Sequence, residues 1–324
     1  MKIKSLVLRN YRNYETLDIE LSPGLNIFIG DNAQGKSNVL ESIFVLALTK
    51  SYMNVKEQNL IKDGCNYSLV KSTVDFGNME NTFEVAFTNC TKKIKINKNE
   101  VKKFNEYISR IKVLIFSPYN VNFVKDGPNV RRKSVNIVIS QLYDDYVKLL
   151  QSYNVLLKKR NQFLKSVRYI DDVNRFYFNN LNDRFCNLAV EIILKRNEFV
   201  FSINKYLSGI YKEIMGFDNL TFNYANNVYE NDFNILLNKF KKKLDSIFDR
   251  EKMYGMTLIG PHRDDFSFLL DGKDLSIYGS QGQIRAAILA LKLSEVFLFK
   301  EKHGDYPILL LDDIFSELDV EKRN

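Results

Sequence analysis

The spacing of apolar positions changes along the chain and divides it into regions. Residues 2–8 and 17–21 alternate weakly between apolar and polar and predict a hairpin around Asn10-Tyr11-Arg12-Asn13-Tyr14. Leu25-Asn26-Ile27-Phe28-Ile29 reads as a short apolar strand. Val39, Leu40, Ile43, Phe44 and Ala47 then recur at helical spacing up to about Lys50. Alternation returns over 68–76, 82–88 and 93–97, most cleanly in Phe83, Val85 and Phe87, and predicts an antiparallel sheet of short strands. Val113-Leu114-Ile115-Phe116 is a further buried strand, ended by Ser117-Pro118.

Beyond about residue 118 the period becomes helical. Leu142, Tyr146, Leu149, Tyr153, Leu156 and Phe163 mark one long helix; Phe185, Leu188, Ala189, Ile192, Phe199 and Ile203 mark another. With the polar, aromatic stretch 168–180 between them, the pair predicts an antiparallel helical arm. A further helix is expected over 231–250. Strand character resumes over 257–270 and ends in an Asp271-Gly272 hairpin turn. Ile284, Ala287, Ile288, Leu291, Leu293 and Val296 then mark a long helix. Pro307-Ile308-Leu309-Leu310-Leu311-Asp312-Asp313 is an apolar strand ending in two carboxylates, and 308–311 belongs in the centre of a parallel sheet. The prediction is an α/β protein. Its core comes from both chain ends, 1–117 and 255–324, and a mainly helical lobe fills 118–254.

Candidate chemistry falls on the joints of this pattern. Gly30-Asp31-Asn32-Ala33-Gln34-Gly35-Lys36-Ser37 fits the phosphate-loop pattern and stands between the predicted strand and helix, as that motif requires. Glycines at 30 and 35 let the backbone wrap an anion, and loop N–H groups can point at phosphate oxygens. Lys36 would reach the β- and γ-phosphates, and the Ser37 hydroxyl would hold Mg2+. Asp312 could hold the same ion from its strand tip, and Asp313 could polarise the attacking water. Gly279-Ser280-Gln281-Gly282-Gln283 opens the late helix with small and polar residues suited to a second anion site; an ordinary N-cap at Ser280 is the alternative.

Composition narrows the class. Of 324 residues, 45% are hydrophobic and 27% charged, which suits a globular chain long enough for about two domains. No run of about 18 apolar residues predicts a membrane span, and the N-terminus has no signal-peptide layout. Cys65, Cys90 and Cys186 are odd in number and far apart, which fits a reducing cytoplasm; His262 and His303 lie far from them in sequence, so no zinc site is expected. The net charge of +8 is consistent with nucleic acid as a partner. Lys92-Lys93, Lys158-Lys159-Arg160 and Lys241-Lys242-Lys243 are the basic clusters that could meet phosphates.

The order of motifs (phosphate loop, Ser-Gln-Gly-Gln, then Leu-Asp-Asp followed by Ser316-Glu317-Leu318-Asp319) resembles an ABC-type P-loop ATPase head, here with an inserted antiparallel sheet and an inserted helical arm. Further residues narrow the resemblance to the RecF family of bacterial DNA-repair ATPases, related to SMC proteins. They are Leu8-Arg9-Asn10-Tyr11-Arg12-Asn13-Tyr14, the loop through Leu40-Glu41-Ser42-Ile43, Leu156-Leu157-Lys158-Lys159-Arg160-Asn161, Gly260-Pro261-His262-Arg263-Asp264-Asp265 and Ser280-Gln281-Gly282-Gln283-Ile284-Arg285. Some positions depart from the family pattern. Tyr52-Met53 stands where His-Arg is usual, Pro118-Tyr119-Asn120 where an acidic pair follows Pro, and Asn136 where Asp is usual. The resemblance also implies another helix, a strand and a switch residue beyond Asp319, so the chain ending at Asn324 reads as C-terminally truncated.

The resemblance implies an ATP-dependent DNA-binding protein of recombinational repair and replication restart. It would dimerise on ATP, bind single-stranded and gapped duplex DNA, and help RecO and RecR load RecA at gaps. Ser280, Gly282 and Gln283 would complete the nucleotide site of the partner protomer, and hydrolysis would be slow, DNA-dependent and cytoplasmic. The rival is the ATPase subunit of a membrane transporter, which shares these motifs. The long insert between Ser37 and Ser280 argues against it.

Overall fold

The computed structural model describes all residues except 54, 104, 171–175, 218, 227, 229 and 314–324. The chain forms two compact units: Met1–Asn120 with the segment from Val296 onward, and Val121–Glu295.

The first unit opens with β1 (Lys2–Tyr11) and β2 (Tyr14–Glu20), antiparallel and joined by a tight turn at Arg12-Asn13. Arg12 has φ 54, the positive value that such two-residue hairpins need. α1 (Lys36–Leu48) follows the phosphate loop. Then come β3 (Tyr67–Asp75), β4 (Glu80–Thr88), β5 (Lys92–Ile96) and β6 (Asn99–Glu100), giving one antiparallel sheet in the order β2-β1-β3-β4-β5-β6. The alternation in β4 is realised: Phe83, Val85 and Phe87 are buried together on one face. α1 packs against β3 and β4, and its residues 41–48 are buried without a break, so it is a core helix rather than a surface amphipath. α2 (Asn105–Ile108) and the fully buried β7 (Val113–Phe116) complete this stretch.

The second unit begins with α3 (Asn122–Lys125) and α4 (Pro128–Leu142), then α5 (Tyr146–Ser166) and α6 (Phe176–Met215). The expected long helix through Leu142 and Phe163 is therefore two helices. Tyr143 ends α4 in an extended conformation, and the polar Asp144-Asp145 pair occupies the break. α5 and α6 do pack antiparallel, with Phe163 stacked on Phe178 and Tyr153 on Phe185. After β8 (Leu220–Ala225), the helix expected over 231–250 is likewise divided into α7 (Phe233–Ser246) and α8 (Phe248–Tyr254). β9 (Asp265–Leu270) pairs with β8 on one side and with β10 (Lys273–Asp274) on the other, through the Asp271-Gly272 turn. α9 (Leu275–Tyr278) and α10 (Gln281–His303) follow. Residues 255–295, which the sequence places with the first unit, thus pack with the second, because β9 is bound edge to edge with β8.

Residues 257–264 are irregular where a strand was expected, and the reason is a buried polar network. Arg160, fully buried, donates to Asn182 Oδ1, Thr257 Oγ1 and Glu251 Oε2 at 2.8, 2.8 and 2.5 Å. Glu251 also accepts from Leu258 N at 2.8 Å, and Asn161 from Thr257 N at 2.8 Å. Arg196, also buried, donates to Pro261 O at 2.7 Å and to Asn136 Oδ1 at 3.2 Å. Asn136 still accepts here, so the departure from Asp at this position costs no partner. Backbone that satisfies side chains in this way is not available to a ladder. Arg131 forks onto Asp265 through two bonds of 2.7 Å.

β11 (Ile308–Leu311) returns to the first unit and pairs in parallel with β7. The strand expected over Leu25–Ile29 does not form: Leu25, Ile27 and Ile29 are 77%, 70% and 91% exposed. Among the described residues no strand offers them a ladder, and Asn26 instead bonds Ser22 N and O at 2.9 Å. Among the described residues β11 has one strand neighbour rather than the expected central place, and Leu309 and Leu311 are exposed on either side of buried Leu310.

His262 gives this network a pH dependence. Its Nε2–H donates to Thr257 O at 3.2 Å, so Nδ1 accepts from the Tyr153 hydroxyl at 2.6 Å and the ring is neutral. Burial, with neighbouring arginine charges, pushes it down to about 4. An unfolded histidine titrates near about 6.5, so the folded state loses stability as pH falls from there toward 4. His262→Gln should remove that slope: between pH 7.5 and 5 the wild type should lose up to about 2 kcal/mol more than the variant. Urea midpoints at the two pH values measure it, and parallel losses would contradict the assignment.

Candidate functional site

The phosphate loop is shaped by its backbone. Ala33 and Gly35 have φ 66 and 96, alternating left-handed residues that turn successive N–H groups toward one side. Gly35 is favoured by its φ, and a Cβ there would stand 2.5 Å from Asn13 Nδ2, so the Asn13 side chain would have to move. Around Gly30 a Cβ would meet none of the described residues within 4 Å. Asp31 and Asn32 lie exposed in the turn. No side chain caps α1 and no acidic residue occupies its first turn, so its positive end is open to an anion.

Side chains converge on this loop from both ends of the first unit. Lys36 Nζ donates to Gly30 O and Asp31 O at 2.6 and 2.7 Å. The ammonium is thus folded back over the loop, where phosphate oxygens could replace the carbonyls. Ser37 Oγ donates to Asp312 Oδ1 at 2.7 Å across 275 positions of sequence. Asp312 is 8% exposed. Asp313 follows it, exposed and at φ 50. The pairing of β11 with β7 delivers this carboxylate, and Asp312 N is itself held by Phe116 O at 2.8 Å. A hydroxyl and a carboxylate oxygen side by side are hard oxygen donors of the kind magnesium takes, the remainder coming from phosphate and water.

Two residues of this cluster were not picked out from the sequence. Asn13 accepts from Asn38 Nδ2 at 2.9 Å and donates to Gln34 O at 3.2 Å, so the hairpin turn braces the loop. Tyr52 donates to Asp312 Oδ2 at 2.7 Å. Burial, then the bond to Asp312, pushes its phenol well above the usual range. Asn13 was visible only as part of the hairpin stretch that carries the family resemblance; Tyr52 was visible as a departure from the family pattern.

The other predicted residues lie in the second unit. Ser280 and Gln283 form a reciprocal capping box at the start of α10: Gln283 N donates to Ser280 Oγ at 3.2 Å and Ser280 N to Gln283 Oε1 at 2.8 Å. The N-cap alternative is therefore realised. Gly282 is exposed, with nothing nearer than 4.0 Å to a Cβ placed there. The residues 316–319 lie outside the described ones. Of the basic clusters, Arg160 is buried in the network above and is not available to DNA. Lys92 is held by Glu57 at 2.5 Å and Lys241 by Asp183 at 2.6 Å. Lys158, Lys159, Lys242 and Lys243 are exposed. No helix among the described residues is long and apolar enough to cross a membrane.

Comparison with known proteins agrees with this geometry. Residues 2–324 match the family model "RecF/RecN/SMC N terminal domain". The DNA replication and repair protein RecF of Listeria monocytogenes serotype 4b (strain CLIP80459) is 36% identical over 322 residues, covering 98% of this chain and 87% of that protein. RecF of Geobacillus sp. (strain WCH70) is 37% identical over 323 residues, covering 98% and 86%. Among solved structures, that of the recombination mediator protein RecF-ATP in the RecFOR pathway superposes with a TM-score of 0.93 at 32% identity, over 99% of this chain and 87% of that one. A structure of RecF-ATPrS in the same pathway gives 0.89 at 34% identity, over 98% and 86%.

Lys36 offers the direct check on the loop. Lys36→Ala should weaken ATP binding about 100-fold, as expected for loss of a charged hydrogen-bond donor. The thermal midpoint should stay within about 1 °C, since among the described residues the side chain bonds two loop carbonyls. Normal ATP affinity by equilibrium titration would remove the assignment of this loop.

Proposed function

The chain belongs to the RecF family, and from that premise we propose that it is an ATP-dependent DNA-binding protein of recombinational repair and replication restart. In this reading ATP drives a homodimer on single-stranded or gapped duplex DNA, and the dimer helps RecO and RecR load RecA. The family sets aside the transporter ATPase. The observation that carries the nucleotide part is the meeting of Ser37 with Asp312 at the open N-terminus of α1.

Each residue then has a definite task. The loop amides and Lys36 bind and orient the phosphates, with Gly30, Asp31, Asn32, Ala33, Gln34 and Gly35 shaping the cradle. Ser37 and Asp312 would hold Mg2+. The chemistry magnesium would supply there is neutralisation of the phosphate charge that develops during transfer. Asp313 would take the proton of the attacking water. Ser280, Gly282 and Gln283 are assigned to the partner protomer's nucleotide. The open space at Gly282 supports this, because among the described residues nothing crowds a Cβ placed there. A site completed only on closure gives slow turnover, so ATP holds the dimer together until hydrolysis releases it.

DNA contact in this reading is made to the DNA backbone by the exposed lysines 93, 158, 159, 242 and 243, and it weakens with salt. The protein works in the cytoplasm, where the chromosome lies. In this reading residues 1–117 and 255–324 bear the motifs of the ATPase, although 255–295 pack with the second unit, and 118–254 is the helical lobe.

Ser280→Arg tests the dimer. A bulky side chain there should leave ATP binding by the monomer near normal and abolish the ATP-induced dimer in sedimentation velocity. A dimer of undiminished stability would overturn the assignment in trans.

A further inference from the structure

Tyr52 stands between two carboxylates, and only one of them belongs to the nucleotide site. The other, Glu41, sits on α1 one turn beyond Ser37 and is fully buried. It accepts from Tyr11 OH at 3.0 Å, from Arg12 Nε and Nη2 at 2.8 and 2.7 Å, and from Ser51 Oγ at 2.5 Å. Ser51 Oγ in turn accepts from Met53 N at 2.9 Å. These bonds pin the backbone on both sides of Tyr52 to the helix that follows the phosphate loop.

The ring direction is then set by packing. It meets Phe44 edge-on at 5.5 Å and Tyr119 at 6.2 Å between centroids. The hydroxyl reaches Asp312 Oδ2, while Ser37 holds Oδ1. Hydrogen bonds therefore run in a closed circuit: Ser37 to Asp312 to Tyr52, through the pinned segment to Glu41, and back along α1 to Ser37. A carboxylate held by one bond alone rotates about its Cβ–Cγ bond; a second donor on the other oxygen fixes its plane. Partners that orient a metal-holding carboxylate typically change metal affinity by about 10- to 100-fold when removed.

We propose that Tyr52 is a positioning residue for magnesium-dependent nucleotide binding, holding the Asp312 carboxylate in the rotation that keeps Oδ1 on Ser37. The inference rests on reading Ser37 and Asp312 as the magnesium-holding pair. It differs from that reading in requiring a residue that touches neither nucleotide nor metal.

Tyr52→Phe in the full chain removes the donor and keeps the ring. ATPγS is titrated by calorimetry in EDTA and over a series of Mg2+ concentrations. Wild type and variant should bind alike in EDTA. Wild type should tighten with Mg2+, and the variant should need about 10-fold more Mg2+ to reach half of that gain. A merely structural residue would shift affinity in EDTA as much as in Mg2+. An equal or lower Mg2+ requirement in the variant would overturn the proposal, a lower one meaning that the phenol competes with the ion. A wild type that gains nothing from Mg2+ would overturn the metal reading and this inference with it. Ser51→Ala, which frees the segment without touching Tyr52, should raise the Mg2+ requirement in the same direction by about 3-fold, a smaller effect of the same kind. It also decides the matter if Tyr52→Phe fails to fold: no shift there would contradict the proposal.

Discussion

The hydrogen bond from Ser37 to Asp312 is the contact on which the site depends. It joins the first turn of α1 to the tip of β11, residues 275 positions apart. Neither element could place its side chain alone. Ser37 is positioned by a loop whose left-handed residues turn the chain into a helix. Asp312 is positioned because β11 lies in register with buried β7, Leu311 opposite Phe116. Burial of the carboxylate next to a hydroxyl and a phenol gives it the partners that a poorly solvated acid requires.

The second unit obeys a related constraint with opposite charge. Arg160 and Arg196 are buried, and buried guanidinium groups are tolerated only when their donors are filled. The segment 257–264 fills them with backbone and side-chain oxygens, which is why it is irregular. Removing either arginine would strand carboxylates and carbonyls arranged for it. The Gly260-Pro261-His262-Arg263-Asp264-Asp265 run, so distinctive in the sequence, is thus mainly architectural in this unit. Asp264 is buried and His262 half-buried, while Arg263 stands exposed.

Much of this was legible in the sequence, for physical reasons that differ by element. The antiparallel sheet could be read because Phe83, Val85 and Phe87 alternate, and period two has no other structural meaning. The phosphate loop could be read because glycines, lysine and serine stand at fixed offsets between apolar segments. Helix interruptions at 143–145 and 247 were hidden, since the apolar period runs through both breaks. Leu25–Ile29 misled because an apolar run states what a segment could bury, whereas a strand also needs a neighbour's ladder. Arg160 misled in the reverse direction: adjacent to Lys158 and Lys159 it reads as part of a basic surface, yet helical geometry turns it inward. Asn13 and Tyr52 stood in stretches that the sequence marked, but their roles come from partners 21, 25 and 260 positions away.

The proposed function turns on one claim, that nucleotide turnover at the Ser37–Asp312 site is coupled to DNA. ATP turnover of the wild-type chain, measured with and without gapped duplex DNA over a series of salt concentrations, tests it most directly. The account predicts slow turnover without DNA, clear stimulation by DNA at low salt, and loss of that stimulation as salt rises and phosphate contacts weaken. Turnover that proceeds at the same rate with and without DNA at low salt would contradict it.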